Sequence, residues 1–373
     1  MHTYRIAAIP ADGIGLEVIP AGIEVLNTLV EITGSFRMTF RTFDWGSDYY
    51  HAHGRMMPED GLETLKAFDA IYFGAVGHPS VPDHISLWGL RLPICQGFEQ
   101  YANVRPARLL PGVQGPLRDR GPEDLDWVIV RENTEGEYAG VGGRAHQGHP
   151  EEVGMEVAVF TRTGVARVMR FAFDLARKRP KRHLTLVTKS NAQRHGMVLW
   201  DSIFQETAAG YPDVTTDRML VDAATTRMVL HPETLDVLVA TNLHADILSD
   251  LAAALSGSLG MGATANLNPE RKYPSMFEPI HGFRVRHHGE GDRQPHRNLL
   301  VGGPDVGAPG RERGGGPPHG GHRVGDRPGD MPAAGPRGHG DDPRGYGSSL
   351  RGPEEGQKVL KNFTKIRMTR AMM

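Results

Sequence analysis

Residues 125–138, LDWVIVRENTEGEY, run from an apolar stretch straight into a polar one. The first seven (LDWVIVR, 125–131) predict a buried strand, and the charged run from Arg131 to Tyr138 begins where that strand stops. The same grammar recurs along the chain. Residues 4–10 (YRIAAIP) predict a strand that leads to a turn at Asp12-Gly13-Ile14-Gly15. Residues 69–76 (DAIYFGAV) predict another, closed by Gly77 and Pro79, and 183–189 (HLTLVTK) ends on Lys189. Residues 235–242 (LDVLVATN) feed a helix expected at about 244–255. Further strands are expected at 37–43 and 152–161. Helical spacing at 16–33 (Val18, Ile19, Ile23, Leu26, Leu29, Val30) and 163–178 supplies two more helices. Strands alternating with helices predict an α/β fold on a parallel sheet, with ligands beyond the strands' C-terminal ends.

The bulk numbers exclude several classes. The 373 residues suffice for two domains or one large unit. A formal net charge of -2 gives no global attraction to nucleic acid or anionic membrane. One cysteine, Cys95, precludes an internal disulfide, and the N-terminus has no signal-peptide pattern. No window is apolar enough to span a bilayer. A cytoplasmic enzyme without nucleic-acid or membrane partners is the expectation.

Several groups carry candidate chemistry. Asp246 and Asp250 lie four apart on a predicted helix, so their carboxylates face the same way, and with a third carboxylate they suit Mg²⁺ or Mn²⁺. Taken alone, two such acids are more often a solvated helix face. Asp222 is a candidate third ligand, although a cap or turn residue is the commoner role. Lys189 can work as an acid or base at a strand end, or simply terminate the strand. Arg131 and Arg105 (in YANVRP) could clamp a carboxylate, and Tyr138 could give a proton, but most arginines are surface residues. Asp12-Gly13-Ile14-Gly15 lacks the third glycine of a dinucleotide loop and by itself supports only a tight turn. No histidine spacing suits zinc.

Together the segments ADGIGLEV (11–18), YANVRP (101–106), RENTEGEY (131–138), TKSN (188–191), NLHADILSD (242–250) and NLNPERKYPSMFEPIHG (266–282) resemble the β-decarboxylating hydroxyacid dehydrogenases. The resemblance runs from residue 4 to 282. It implies an isopropylmalate dehydrogenase-like two-domain α/β fold with a mixed, mostly parallel, non-Rossmann sheet. The first domain would comprise 1–100 and 256–282. The second, 101–255, would hold the catalytic groups and a dimer clasp at about 138–160. By the same resemblance Asp222, Asp246 and Asp250 are metal ligands, Arg105 and Arg131 bind substrate, and Tyr138 and Lys189 transfer protons. Asn191, Glu278, His281 and Gly282 belong to an NAD site. In that family the lysine and one aspartate come from the other subunit, which implies a homodimer. Asp83, His84, Ser86 and Trp88 (in GHPSVPDHISLWG, 77–89) stand where an alkyl-binding stretch is expected, and Ser86 becomes a further substrate-binding candidate. The implied reaction is NAD-dependent oxidation and decarboxylation of tartrate or D-malate, with 3-isopropylmalate the alternative.

Three departures stand against this pattern. Cys95 occupies a position where the family has an arginine, and Arg91 lies four residues too early. Ala11 replaces a glycine in the first turn. The third departure begins after Gly282. Gly and Pro number 47 and 27 overall, and Phe283–Gly356 alone holds 20 and 10 of them. Such composition predicts about 75–90 irregular or disordered C-terminal residues. Phe283 to Gly289 can be encoded TTC CGC GTT CGA CAT CAC GGG, which read one base later gives S-A-F-D-I-T. Glu290 to Leu300 can likewise be encoded so that the shifted frame reads R-A-I-A-N-P-I-A-T-F-W. Both strings match the family's continuation, so 283–373 reads as an out-of-frame tail. The restored frame supplies an aspartate suited to ribose hydroxyls, hence NAD. Without it, the chain as written is expected to have weak or no activity, and an inactive dimeric remnant is a further alternative.

Overall fold

The structure, a computed structural model, describes residues 1–257 and 262–279. The tail from Phe283, and His281 and Gly282, lie outside the described residues. The strands are β1 (His2–Ala11), β2 (Phe36–Thr42), β3 (Ala70–Ala75), β4 (Ala102–Arg108), β5 (Asp126–Glu132), β6 (Gly136–Ala145), β7 (Val153–Val159), β8 (His183–Thr188), β9 (Thr215–Leu220), β10 (Val237–Ala240), β11 (Ala263–Leu267) and β12 (Ser275–Pro279). Ten of these form one sheet in the order β2-β1-β3-β12-β11-β4-β5-β10-β8-β9. Its outer pairs are parallel, while β12-β11, β11-β4 and β4-β5 are antiparallel. The sheet is therefore mixed and mostly parallel, as expected.

Helices cover both faces. They are α1 (Gly15–Thr33), α2 (Ser47–His53), α3 (Gly61–Leu65), α4 (Asp83–Ser86), α5 (Leu92–Gly97), α6 (Arg162–Arg177), α7 (Gly196–Ala208), α8 (Val221–Leu230) and α9 (Asn242–Leu255). A π-helical turn, Leu87–Arg91, joins α4 to α5 without a break. Side chains alternate across a strand, so β10 sends Val237 and Val239 to one core and Leu238 and Ala240 to the other. The first core packs Phe173, Trp200 and Phe204 from α6 and α7. The second packs Met228 and Leu248 from α8 and α9 against Trp127 and Ile129. A third core, with Ile9, Phe73, Phe98 and Met276, lies in the β1–β3–β12 half of the sheet. Burial on both faces is why strands such as WVIV read as continuous apolar runs.

Ala11 takes φ +55°, a left-handed conformation that glycine adopts freely. The strand expected at 235–242 stops at Ala240 because Thr241 caps α9, its Oγ1 accepting from the His244 N–H at 3.3 Å. β6 and β7 form a separate two-stranded hairpin. Among the described residues no helix is long and apolar enough to cross a membrane.

Candidate active site

Strand registry builds the site before any side chain is considered. Ala102 pairs with Glu132 and Asn103 with Arg131 across β4-β5. Asn266 pairs with Asn103 across β11-β4, and with Met276, two residues from Glu278, across β11-β12. Glu278, Asn266, Asn103, Arg105 and Arg131 therefore share one face of the sheet, in a row over four strands. On β5 that face begins with Trp127 and Ile129 in a core and turns polar only at Arg131, where the strand leaves it.

α9 then lays its acids over the row. Arg131 bonds Asp246 through Nη1 and Asn242 Oδ1 through Nε at 2.8 Å. Arg105 Nη1 lies 3.4 Å from Asp246 and 2.5 Å from Ser249 Oγ, and its Nε donates to Asn103 Oδ1 at 3.0 Å. Burial, with Arg131 next to it, pulls the Arg105 guanidinium down to about 10. Burial opposes ionisation of Asp246, but Arg131, Arg105 and Arg91 outweigh it and hold that carboxyl below its usual range. Asp250, one turn on, is pushed up by burial and by the Asp246 charge. The Tyr138 ring lies under the Arg131 guanidinium at 5.3 Å, and Gln96 Nε2 holds the Tyr138 carbonyl at 3.0 Å.

The structure thus brings Arg105, Arg131, Tyr138, Asp246 and Asp250 together. Lys189 and Asp222 are not part of this group. They pair with each other, Nζ to Oδ1 at 2.5 Å, with side chains 28% and 64% exposed. Among the described residues no three His, Cys, Asp or Glu side chains converge as a metal site. Asp222 is thus apart from Asp246 and Asp250 within one chain. The donor chemistry of those two still fits a hard divalent cation: oxygens only, one turn apart, with one carboxyl raised by the other.

Glu278, expected in a nucleotide loop, instead lies buried in the row. Its oxygens take Arg91 Nη2 at 2.6 Å and Nε at 3.0 and 3.1 Å, and Asn266 Nδ2 at 2.9 Å. It is a β12 residue whose side chain faces inward. Ser86 is buried and its hydroxyl bonds the Asp83 carbonyl in its own helix at 3.3 Å. Asn191 is exposed in the turn after β8. Sequence reasoning missed Asn103, Asn242, Asn266 and Ser249, the neutral groups that orient the arginines. All four sat inside motifs already singled out, which was the available signal.

A family model described as isocitrate/isopropylmalate dehydrogenase matches residues 5–301. The chain is 68% identical over 295 residues to a probable tartrate dehydrogenase/decarboxylase of Agrobacterium vitis, covering 79% of this chain and 82% of that protein. It is 50% identical over 304 residues to the D-malate dehydrogenase [decarboxylating] of Escherichia coli, covering 81% and 84%. The crystal structure of isocitrate dehydrogenase from Methylococcus capsulatus superposes with a TM-score of 0.66 at 36% identity, over 76% of this chain and 78% of that one. A mixed α/β sheet that gathers guanidinium and carboxylate groups on one face, in such company, defines a hydroxyacid dehydrogenase/decarboxylase. The chain belongs to the isocitrate/isopropylmalate dehydrogenase family.

Proposed function

We propose that this lineage oxidises and decarboxylates tartrate or D-malate with NAD and Mg²⁺ or Mn²⁺, as a cytoplasmic homodimer. The observation that carries the reading is the site itself: Arg105 and Arg131 converge on Asp246, with the Tyr138 ring against the Arg131 guanidinium. Those guanidiniums suit a substrate carboxylate, and the names of the 68% and 50% identical relatives favour a short hydroxy diacid over 3-isopropylmalate.

Asp246 and Asp250 would hold the cation with Asp222 of a second copy, and Lys189 would come with that Asp222. Their pairing apart from the rest of the site supports a site completed between subunits. A divalent ion held by Asp246 and Asp250 would supply charge stabilisation for a developing oxyanion, and a bound nicotinamide would supply the hydride acceptor. The chain's own groups do the remaining work. Arg105 and Arg131 orient the carboxylate, Lys189 Nζ holds or takes a hydroxyl proton, and Tyr138 Oη returns one to carbon. The exposed Val141, Val153, Met155 and Val157 of the β6–β7 hairpin support its role as the dimer clasp, since an isolated two-stranded sheet is marginal. Separate cores on β1–β3–β12 and on β5–β10–β8 support the division into 1–100 with 256–282, and 101–255.

We further infer that the tail after Gly282 is out of frame and leaves this polypeptide weak or inactive. In support, the match to the Agrobacterium vitis relative takes in 295 residues, 79% of this chain. The test is NADH formation from D-malate and from tartrate with Mn²⁺, for this chain and for one with its frame restored after Gly282. Activity in the restored chain alone supports both readings. Equal activity in both removes the account of the tail, and no activity in either removes the substrate.

A further inference from the structure

A guanidinium outside the expected set is built into the same row. Arg91 ends the π-helical turn and lies one helical turn before Cys95, on one face of a continuous helical segment from Asp83 to Gly97. Both side chains are buried there. Four residues apart on that segment, positions 91 and 95 face the same side, toward the half of the sheet that carries Met276 and Glu278. Arg91 donates Nε and Nη2 to Glu278, and Nη2 also reaches Asn266 Oδ1 at 3.3 Å. Those contacts fix the guanidinium plane and leave Nη1 as its remaining donor. Its charge is felt at Asp246, Arg105 and Tyr138. Arg91 thus joins Arg105 and Arg131 at one site with Nη1 still to be used, and a guanidinium N–H so placed suits a ligand carboxylate.

We propose, resting on the functional reading above, that Arg91 binds the second carboxylate of a hydroxy diacid. The buried Glu278–Asn266 pair positions it. Arg105 and Arg131 take the carboxylate beside the hydroxyl, and Arg91 Nη1 takes the other. An arginine at position 95 would approach the same place from one turn later, so Arg91 and Cys95 are one functional position shifted along the helix.

Calorimetric titration of the full chain with D-malate and with D-lactate, which lacks the second carboxylate, tests this. D-malate is expected to bind at least about tenfold tighter. Arg91→Leu is expected to bring the two within about threefold of each other while D-lactate binding is unchanged. Adding Cys95→Arg to Arg91→Leu restores the preference. If Arg91→Leu does not fold, Arg91→Lys keeps a cation beside Glu278 and is expected to lose part of the preference. An unchanged ratio in the variant that folds, or equal loss of both acids, overturns the proposal. If this chain binds neither acid, the same titrations on the chain with its frame restored after Gly282 decide: binding of neither acid there overturns the functional reading and this proposal with it.

Discussion

Two ionic groups in this molecule look alike on paper and differ in kind. Arg91–Glu278 lies inside, with side chains 10% and 7% exposed, tied into Asn266 on β11, Asn103 on β4 and Asn133 just past β5. Lys189–Asp222 lies outside, with one short contact and most of the aspartate in solvent. A buried pair is costly unless its charges are well met, and here Glu278 takes Arg91 Nε and Nη2 together with Asn266 Nδ2. An exposed pair contributes little to folding, so a reason to keep it must be sought elsewhere. The inner pair therefore reads as architecture that aims a binding group. The outer pair reads as groups held ready for a second chain.

That contrast is broken most directly at Lys189. In the frame-restored chain, Lys189→Ala is expected to lower turnover by about 10²–10⁴-fold, the usual worth of a positioned acid or base. Its urea unfolding midpoint is expected to stay at the wild-type value. A large loss of stability with little loss of turnover would reverse the roles assigned to the two pairs. Mixing Lys189→Ala with Asp246→Ala subunits sharpens the point: partial recovery of turnover requires a site shared between copies.

Glu278→Ala is the counterpart on the inside. It leaves Arg91 charged, buried and unpaired, and such single removals cost about 3–5 kcal/mol. Removing both charges, as Arg91→Leu with Glu278→Leu, should recover much of that loss. Urea unfolding of the three proteins checks it. Equal stability of Glu278→Ala and the wild type would mean that Glu278 does not offset the buried Arg91 charge.

How much of this was readable follows the same divide. Strands with one continuous apolar run, such as β5 and β8, were legible, and so were the charged residues at their ends. β4 was not, because Arg105 and Pro106 interrupt the run and its burial is provided by neighbouring strands. β9 and α8 escaped because they pack at the sheet's edge with half their residues in solvent, which blurs both periods. The Arg91–Glu278 pair spans 187 positions and has no local signal at all. Glu278 looked like part of a nucleotide loop because the motif around it was read as a string, whereas β-pairing decides which way its side chain faces.

The inner region also carries a titration cost that the outer pair lacks. Glu132 is buried and accepts from Thr134 N, Thr134 Oγ1 and Glu135 N at 3.0, 2.8 and 2.8 Å. Burial outweighs those bonds and pushes its carboxyl up to about 6. A carboxyl raised in the folded state stabilises fully below its unfolded value and loses that contribution as pH rises through about 6. From pH 7 to 5 the wild type should therefore gain about 1 kcal/mol relative to Glu132→Gln. Parallel unfolding midpoints for the two proteins over that range would exclude it.

The smallest effect concerns how a buried carboxylate is delivered. Asp12 turns inward and accepts from Ser47 N, Ser47 Oγ and Gly77 N, each at 2.8 Å. The chain reverses around it with left-handed residues on both sides, Ala11 at φ +55° and Gly13 at φ +52°. At Gly13 the conformation is free. At Ala11 the Cβ makes it cost about 1–2 kcal/mol, partly offset because alanine restricts the unfolded chain more than glycine does. Ala11→Gly is therefore expected to stabilise by about 0.5 kcal/mol and Gly13→Ala to destabilise by about 1 kcal/mol, read as opposite shifts of the urea midpoint with unchanged slope. Shifts of the same sign at both positions would mean that the two residues do not share one backbone constraint, and that Asp12 is held by its three hydrogen bonds alone.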